Sequence, residues 1–392
     1  MSRFAFVGRL AASKSILNRL LLVQSYFSGL EIEGDSPCDD VRFMRDAVAR
    51  LLKGERELEV GSAGTVLRFM ALRVARQPGR FVLRGHPRLF QRPQGELLKI
   101  LRQLGVEARL HPDALEIEGQ GWKLHGDTLL VPFERSSQFA TSVLLNAWNL
   151  PFDLYVSLGG QKVSEGYWRM STRLAQELGM RIEFWDGDFR VPRGQAINTD
   201  RVTAEMDVSS AFALAAVAAV GGAATLLDFP TSGLQPDANF VPILERMGVP
   251  LSLTLSTLRV EQAERLTGVA INLKNMPDLF PVLAVLCGLA SGESDLYGAP
   301  HLVHKESDRL NRVAELLRQL GREVEVKADG LVIRGQPAVA PGPGLFLDCD
   351  HDHRLAFAGA VLKAAGFAIE IQHPEVVTKS FPDFWSILGW NL

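Results

Sequence analysis

The stretch Asn311-Arg312-Val313-Ala314-Glu315-Leu316-Leu317-Arg318-Gln319-Leu320-Gly321-Arg322-Glu323-Val324-Glu325-Val326-Lys327-Ala328-Asp329-Gly330-Leu331-Val332-Ile333 decides the fold. Leu316, Leu317 and Leu320 sit at helical spacing, Gly321 stops the run, and Val324-Glu325-Val326 alternates as a strand does. Asp329-Gly330 then turns the chain into Leu331-Val332-Ile333, so the stretch predicts helix, left-handed glycine stop, strand, tight turn, strand. The same order returns over Leu101–Glu118, Leu174–Val191 and Leu244–Val260. The stops at Gly105, Gly179, Gly248 and Gly321 are 74, 69 and 73 residues apart, and less regular stops at Gly54 and Gly389 flank them. A fixed period of this length means copies of one unit.

A second series of apolar helices interleaves with the first. They begin near Ser15, Gly64, Ser137, Ser209, Asp278 and His353, at intervals of 49, 73, 72, 69 and 75 residues. The predicted unit is therefore βαβαββ, six times over. Six such units exceed a single core, whereas two groups of three make ordinary domains. The fold class expected is α/β, with two similar domains of three repeats, a crossover near Ala204 to Asp207, and an active site in the cleft between them.

Composition narrows the function. The chain has 392 residues, 47% of them apolar, a net charge of −3 and a pI of about 6.3. That balance suits a folded enzyme and not a nucleic-acid partner, which calls for a basic excess. The longest apolar stretch, Ala211–Leu227, is broken by Gly221-Gly222 and reads as a buried helix and turn, not a membrane span. No secretory signal is legible at the N-terminus, so a cytoplasmic chain is expected. Cys38, Cys287 and Cys349 show no metal-ligand or paired spacing and read as core or loop thiols; no metal and no cofactor are expected.

The chemistry gathers at helix starts. Lys14-Ser15, Ser62-Ala63-Gly64-Thr65, Ser136-Ser137-Gln138, Ser209-Ser210 and Asp352-His353-Arg354 each precede an apolar run. A helix start offers unpaired N–H groups and a positive dipole end, a seat for phosphate or carboxylate, while each hydroxyl taken alone could be an ordinary N-cap. Lys14 and Arg354 are electrostatically misplaced there unless an anion joins them. Gly8 to Ser15 nearly spells a P-loop, but Ser13 stands where that loop needs its second glycine. The other series contributes Arg88, Arg92, Ser164 with Tyr167, Lys379, and the turn Lys305-Glu306-Ser307-Asp308-Arg309, whose two cations are expected to point away from the helix start. Asp278 heads a strongly apolar helix and is expected to be partly desolvated, a candidate base. Several cations for two anionic groups, two carboxylates and no nucleophilic Ser-His pair point to joining small phosphorylated or carboxylated molecules without a metal.

These segments, with Asp39-Asp40-Val41, Gly61 through Arg68, Arg92-Pro93, Asp207 through Ala211, Pro277-Asp278 and Lys379 through Asp383, resemble the enolpyruvyl transferase family from end to end. The resemblance implies an inside-out α/β barrel in each domain, with residues 1–12 joining 206–392 in one and 13–205 forming the other. It implies transfer of the enolpyruvyl group of phosphoenolpyruvate to the 5-hydroxyl of shikimate 3-phosphate. In that family pattern shikimate 3-phosphate is held by Lys14, Ser15, Arg19, Ser136, Ser137, Gln138, Ser164, Tyr167, Asp278, His301 and Lys305. Phosphoenolpyruvate is held by Lys14, Gly64, Arg92, Gln138, Arg309, Arg354 and Lys379. Catalysis would fall to Asp278, Glu306 and Lys14. No nucleic acid, membrane or cofactor enters, and a monomer is expected.

Ala11-Ala12, Leu17, Ser62, Phe69 and His301 depart from the family's residues at their positions. Ser62 and Phe69 flank the Gly64 turn and are expected to reshape the phosphoenolpyruvate pocket; His301 bears on acceptor affinity. The rival readings are a non-catalytic or altered-acceptor relative and the sister reaction on UDP-N-acetylglucosamine. The latter works with a reactive Cys on a mobile loop, and no Cys lies between Arg88 and Leu150.

Overall fold

The predicted glycine stops adopt the left-handed conformation: Gly105, Gly179, Gly248 and Gly321 have φ of 72°, 104°, 83° and 74°. Each ends an outer helix and releases the chain into a strand pair, because only glycine takes this backbone without a Cβ clash. The computed structural model describes residues 3–160, 162–337 and 344–390. The chain divides into two compact units, Ala12–Glu205 and Met1–Ala11 with Met206–Leu392.

Four repeats are complete. In the founding one, Ala270–Asn272 lies parallel to Gly292–Tyr297, which pairs antiparallel with Gly330–Gly335, which in turn pairs with Glu323–Lys327. The same order joins Glu57–Gly61, Gly79–Gly85, Ala114–Gly119 and Glu107–Leu110. It recurs in Leu129–Pro132, Leu154–Gly159, Asp188–Val191 and Glu183–Trp185. The fourth copy draws its first strand, Phe4–Gly8, from the N-terminus and sets it beside Gly222–Leu227.

The other two repeats correct the expectation of six equal copies. Glu31–Glu33 pairs only with Arg201–Thr203, and Leu345–Asp348 only with Ile369–Gln372, each a two-stranded parallel ladder with no hairpin among the described residues. The first of these closes at the chain crossover, with a strand from the far end of its unit. The sheets stay separate, and none closes into a barrel among the described residues.

The inside-out character comes from the helices. The inner series is α1 (Lys14–Gln24), α2 (Gly64–Val74), α3 (Gln138–Leu145), α4 (Val208–Gly221), α5 (Phe280–Leu289) and α6 (His353–Ala364). These are apolar nearly all round and buried nearly all round, as helices surrounded by protein must be. Within its own unit α2 packs on α1 and α3, and α4, α5 and α6 pack on one another. Gly221 allows the closest approach, since a Cβ there would meet the Ala364 carbonyl at 2.8 Å. The Ala211–Leu227 stretch is α4 followed at once by strand Gly222–Leu227, with Asp207 capping the helix through the Ser210 N–H at 2.7 Å. Cys38, Cys287 and Cys349 are buried free thiols.

An outer-helix side chain stitches one repeat to the next. Gln103 binds the Leu130 backbone, Arg246 donates to the Ala270 carbonyl at 3.2 Å, and Gln319 accepts from the Phe346 N–H at 3.0 Å. Each bond satisfies part of an open strand edge that would otherwise face water unpaired.

Candidate active site

In the unit Ala12–Glu205 the starts of the inner helices come together. Gln138, first residue of α3, donates to Thr65 Oγ1 of α2 at 3.2 Å and accepts from Arg68 Nη1 at 2.8 Å. Arg68 also reaches Ser136 Oγ at 3.5 Å and lies over the Phe139 ring at 4.6 Å from its centroid. Gly64 opens α2 where a Cβ would sit 3.0 Å from Arg92 Nη1, so the missing side chain is what lets that guanidinium approach the helix start. Ser137 and Ser164 are buried, Ser164 with a left-handed φ of 53°.

Lys14, the cation at the start of α1, has an acid beside it. Its Nζ lies 3.1 Å from Asp40 Oδ2, the carboxylate of the following outer helix, Asp39–Leu52. One turn further on, Arg19 is buried, donating from Nε to Ser171 Oγ at 2.8 Å and from Nη1 to the Ser15 carbonyl at 2.6 Å. Burial lowers this guanidinium to about 10, opposed by Tyr167. Phe69 lies beneath it, 5.7 Å from the ring centroid to Arg19 Cζ. The sequence placed Phe69 beside the phosphoenolpyruvate residues; five residues past Gly64, it leaves the face shared by Gly64 and Arg68 and turns toward Arg19 instead.

The second cluster is within the other unit. Asp278, in the turn Pro277–Leu279 before α5, accepts from Lys305 Nζ at 3.3 Å, Arg309 Nη1 at 2.7 Å and Arg354 Nη2 at 3.2 Å. Arg309, 1% exposed, also donates to Glu306 Oε2 at 2.9 Å and to both oxygens of Asp352 at 2.7 and 3.2 Å. It is thus not free to point away from its turn. Asp352 is fully buried, caps α6 through the Arg354 N–H at 3.0 Å and accepts from Ser307 Oγ at 3.0 Å. Lys379 is buried at the end of the turn Pro374–Lys379, which packs on α6.

Charge in this cluster runs against one sequence expectation. Burial alone would raise Asp278, but Lys305, Arg354 and Arg309 together outweigh it and hold the carboxyl well below the usual range. It is desolvated as expected, yet in this state a weak base. Burial also works against the charge of Arg309, and Asp352, Glu306 and Asp278 more than restore it. Lys305 is pulled down by burial, partly opposed by Asp278. Burial, then Lys305, pull His301 to about 3, so this imidazole is neutral at pH 7.

A family model described as EPSP synthase (3-phosphoshikimate 1-carboxyvinyltransferase) matches residues 9–388. The chain belongs to this family. Among its relatives, the 3-phosphoshikimate 1-carboxyvinyltransferase of Methanoculleus marisnigri is 34% identical over 86% of this chain and 79% of the relative. That of Syntrophobacter fumaroxidans is 34% identical over 95% of this chain and 94% of its own. The EPSP synthase structure from Acinetobacter baumannii superposes with a TM-score of 0.75 at 21% identity, over 99% of this chain and 95% of that one.

Three residues without an assigned role pair with candidate site residues: Asp40 with Lys14, Arg68 with Gln138 and Asp352 with Arg309. Asp40, Arg68 and Asp352 all lie in the segments that resemble the family, but a helix-start acid reads as a cap and an arginine four residues into a helix reads as surface. Ser171 gave no signal beyond its place one turn after Tyr167. Among the described residues no group of three or more His, Cys, Asp or Glu is arranged for a metal ion, and no helix is long and apolar enough to cross a membrane.

Proposed function

We propose that this chain transfers the enolpyruvyl group of phosphoenolpyruvate to the 5-hydroxyl of shikimate 3-phosphate and releases phosphate. The observation that carries the reading is the cluster at Asp278: one carboxylate facing three cations, with a second carboxylate, Glu306, on the same Arg309.

In this reading Lys14, Ser15, Arg19, Ser136, Ser137, Gln138, Ser164, Tyr167, His301 and Lys305 hold the acceptor together with Asp278. Lys14, Gly64, Arg92, Gln138, Arg309, Arg354 and Lys379 hold phosphoenolpyruvate. The acceptor oxygen attacks C2 of phosphoenolpyruvate as Asp278 takes its proton, and Glu306 delivers a proton to C3. The tetrahedral intermediate then loses phosphate, assisted by Lys14, and a C3 proton, which restores the double bond. Substrate anions that engage Lys305 and Arg354 weaken the positive field that holds Asp278 down, so substrate binding itself makes it a stronger base. The cations meanwhile stabilise an intermediate carrying phosphate and carboxylate together.

The units 1–12 with 206–392 and 13–205 are taken as its two domains. The protein is taken to work as a cytoplasmic monomer without cofactor. Mixing the purified chain with phosphoenolpyruvate and shikimate 3-phosphate should release phosphate stoichiometrically with the enolpyruvyl product. Silence with both substrates bound would instead indicate a non-catalytic or altered-acceptor relative.

A further inference from the structure

Away from both clusters, the unit Ala12–Glu205 has a cavity of about 520 Å³ lined by residues of helix Gly95–Gln103, strands Leu129–Pro132 and Leu154–Gly159, and their ends. Its size falls within the roughly 300–1,000 Å³ of small-molecule sites. Leu130 and Pro132, on one face of their strand, give it an apolar wall, and Lys99 and Arg102, one helical turn apart, bring two cations. Neither cation has an ion-pair partner among the described residues. The Gln103 amide satisfies the adjoining backbone on both sides, donating to the Leu130 carbonyl at 2.9 Å and accepting from the Leu130 N–H at 2.9 Å. The Leu130 side chain is left 60% exposed.

The repeat provides an internal control. A constant offset of 216 residues relates Lys99, Arg102, Gln103, Leu130 and Pro132 to Glu315, Arg318, Gln319, Phe346 and Asp348. The counterpart keeps the stitch, Gln319 to Phe346, and an exposed apolar side chain at the second strand position, Phe346 at 44%. Its charge is reversed. Glu315 replaces Lys99, Asp348 replaces Pro132, and the cross-strand partner of Phe346 is Glu370 where that of Leu130 is Ser157. The one retained cation, Arg318, donates to the Val324 carbonyl at 3.2 Å. The fold therefore does not demand two cations at this place, and the stitch does not depend on them.

We propose that the cavity binds a small amphipathic monoanion, its carboxylate or sulfonate on Lys99 and Arg102 and its apolar body on Leu130 and Pro132. Glu134, also in the lining, reduces the two positive charges to a net single one, which matches a monoanion and disfavours a phosphate ester. This occupant is distinct from either proposed substrate, and the site works without turnover.

The probe is 8-anilino-1-naphthalenesulfonate, an aromatic monoanion whose fluorescence rises in an apolar site. Titration into the native chain should give saturable one-site binding, unchanged by saturating phosphoenolpyruvate and shikimate 3-phosphate together. The Lys99→Glu/Ser157→Glu pair, which installs the counterpart's acids on the surface, should weaken it by about tenfold or more with an unaltered melting temperature. Arg102→Gln, a milder change, should weaken it in the same direction. The neutral analogue N-phenyl-1-naphthylamine should be insensitive to all of these substitutions. Equal affinity in native and variant chains, displacement by the two substrates, or no saturable binding would each overturn the proposal. None of these readouts requires the enzyme to be active, so failure here and failure of the proposed reaction are separable.

Discussion

The two units build their helix starts from the same repeat but charge them differently. In Ala12–Glu205 Lys14 meets the carboxylate of Asp40, while Arg19 and Arg68 meet hydroxyl and amide partners, Ser171, Ser136 and Gln138. In the other unit Lys305, Arg309 and Arg354 pair with Asp278, Glu306 and Asp352. Both arrangements suit holding anions, and the second adds carboxylates that suit moving protons among the held groups. The opposite ends of the inner helices differ too. Arg73 donates to the Ser25 carbonyl at 2.9 Å, and Arg76 to the carbonyls of Asn146 at 2.8 Å and of Trp148, so cations face the negative ends of α1 and α3. The other unit relies there on close packing of small residues such as Gly221 against α6. A repeated scaffold thus fixes where side chains emerge, and the number of carboxylates decides what each copy does.

The sharpest way to break this division is Glu306→Gln. Steady-state phosphate release should fall about 10²–10⁴-fold in kcat with little change in either KM, the loss expected of a general acid. Near-normal rates would remove Glu306 from its role. Asp352→Ala tests the carboxylate-rich cluster as structure. It leaves Arg309 buried without its closest partner and should cost about 3–5 kcal/mol in denaturant unfolding. A cost under about 1 kcal/mol would mean the guanidinium is wetter than its 1% exposure indicates. On the binding side, Arg19→Met should raise the KM for shikimate 3-phosphate about 10–100-fold while sparing kcat more, since it removes charge-assisted bonds from a holding residue.

The smallest effect concerns His301. Its folded value of about 3 lies below the ordinary 6.5, so as pH falls through 6.5 the unfolded chain takes up a proton that the folded chain refuses until about 3. Stability contributed by the neutral imidazole is therefore full above pH 6.5 and lost between 6.5 and 3. His301→Asn should remove that slope, worth at most about 2 kcal/mol at pH 5. Parallel stability–pH curves for the two proteins would contradict the burial of this ring.

Much of the fold was legible because its punctuation is local: a Leu-Gly stop and an alternating pair of strands are written within about 20 residues. The trimmed repeats were not legible, because the partner of Glu31–Glu33 is Arg201–Thr203, and no local pattern announces a pairing across most of a unit. At the site, the cations and hydroxyls could be read from their positions at helix starts. Which acid meets which cation could not, since Lys14 finds Asp40 on the next helix and Arg309 finds an acid 43 residues away. Asp278 shows the cost of that gap. Its desolvation follows from the apolar helix behind it, but the three cations that reverse its effect come from two later segments of the chain.

The role given to Glu306 is tested most directly by the affinity of Glu306→Gln for shikimate 3-phosphate, measured by calorimetry. If Glu306 moves a proton and does not hold the acceptor, the dissociation constant should stay within about threefold of the native chain, a difference under about 1 kcal/mol. A loss of binding as large as the loss of turnover would show that Glu306 holds the acceptor, and the account would fail.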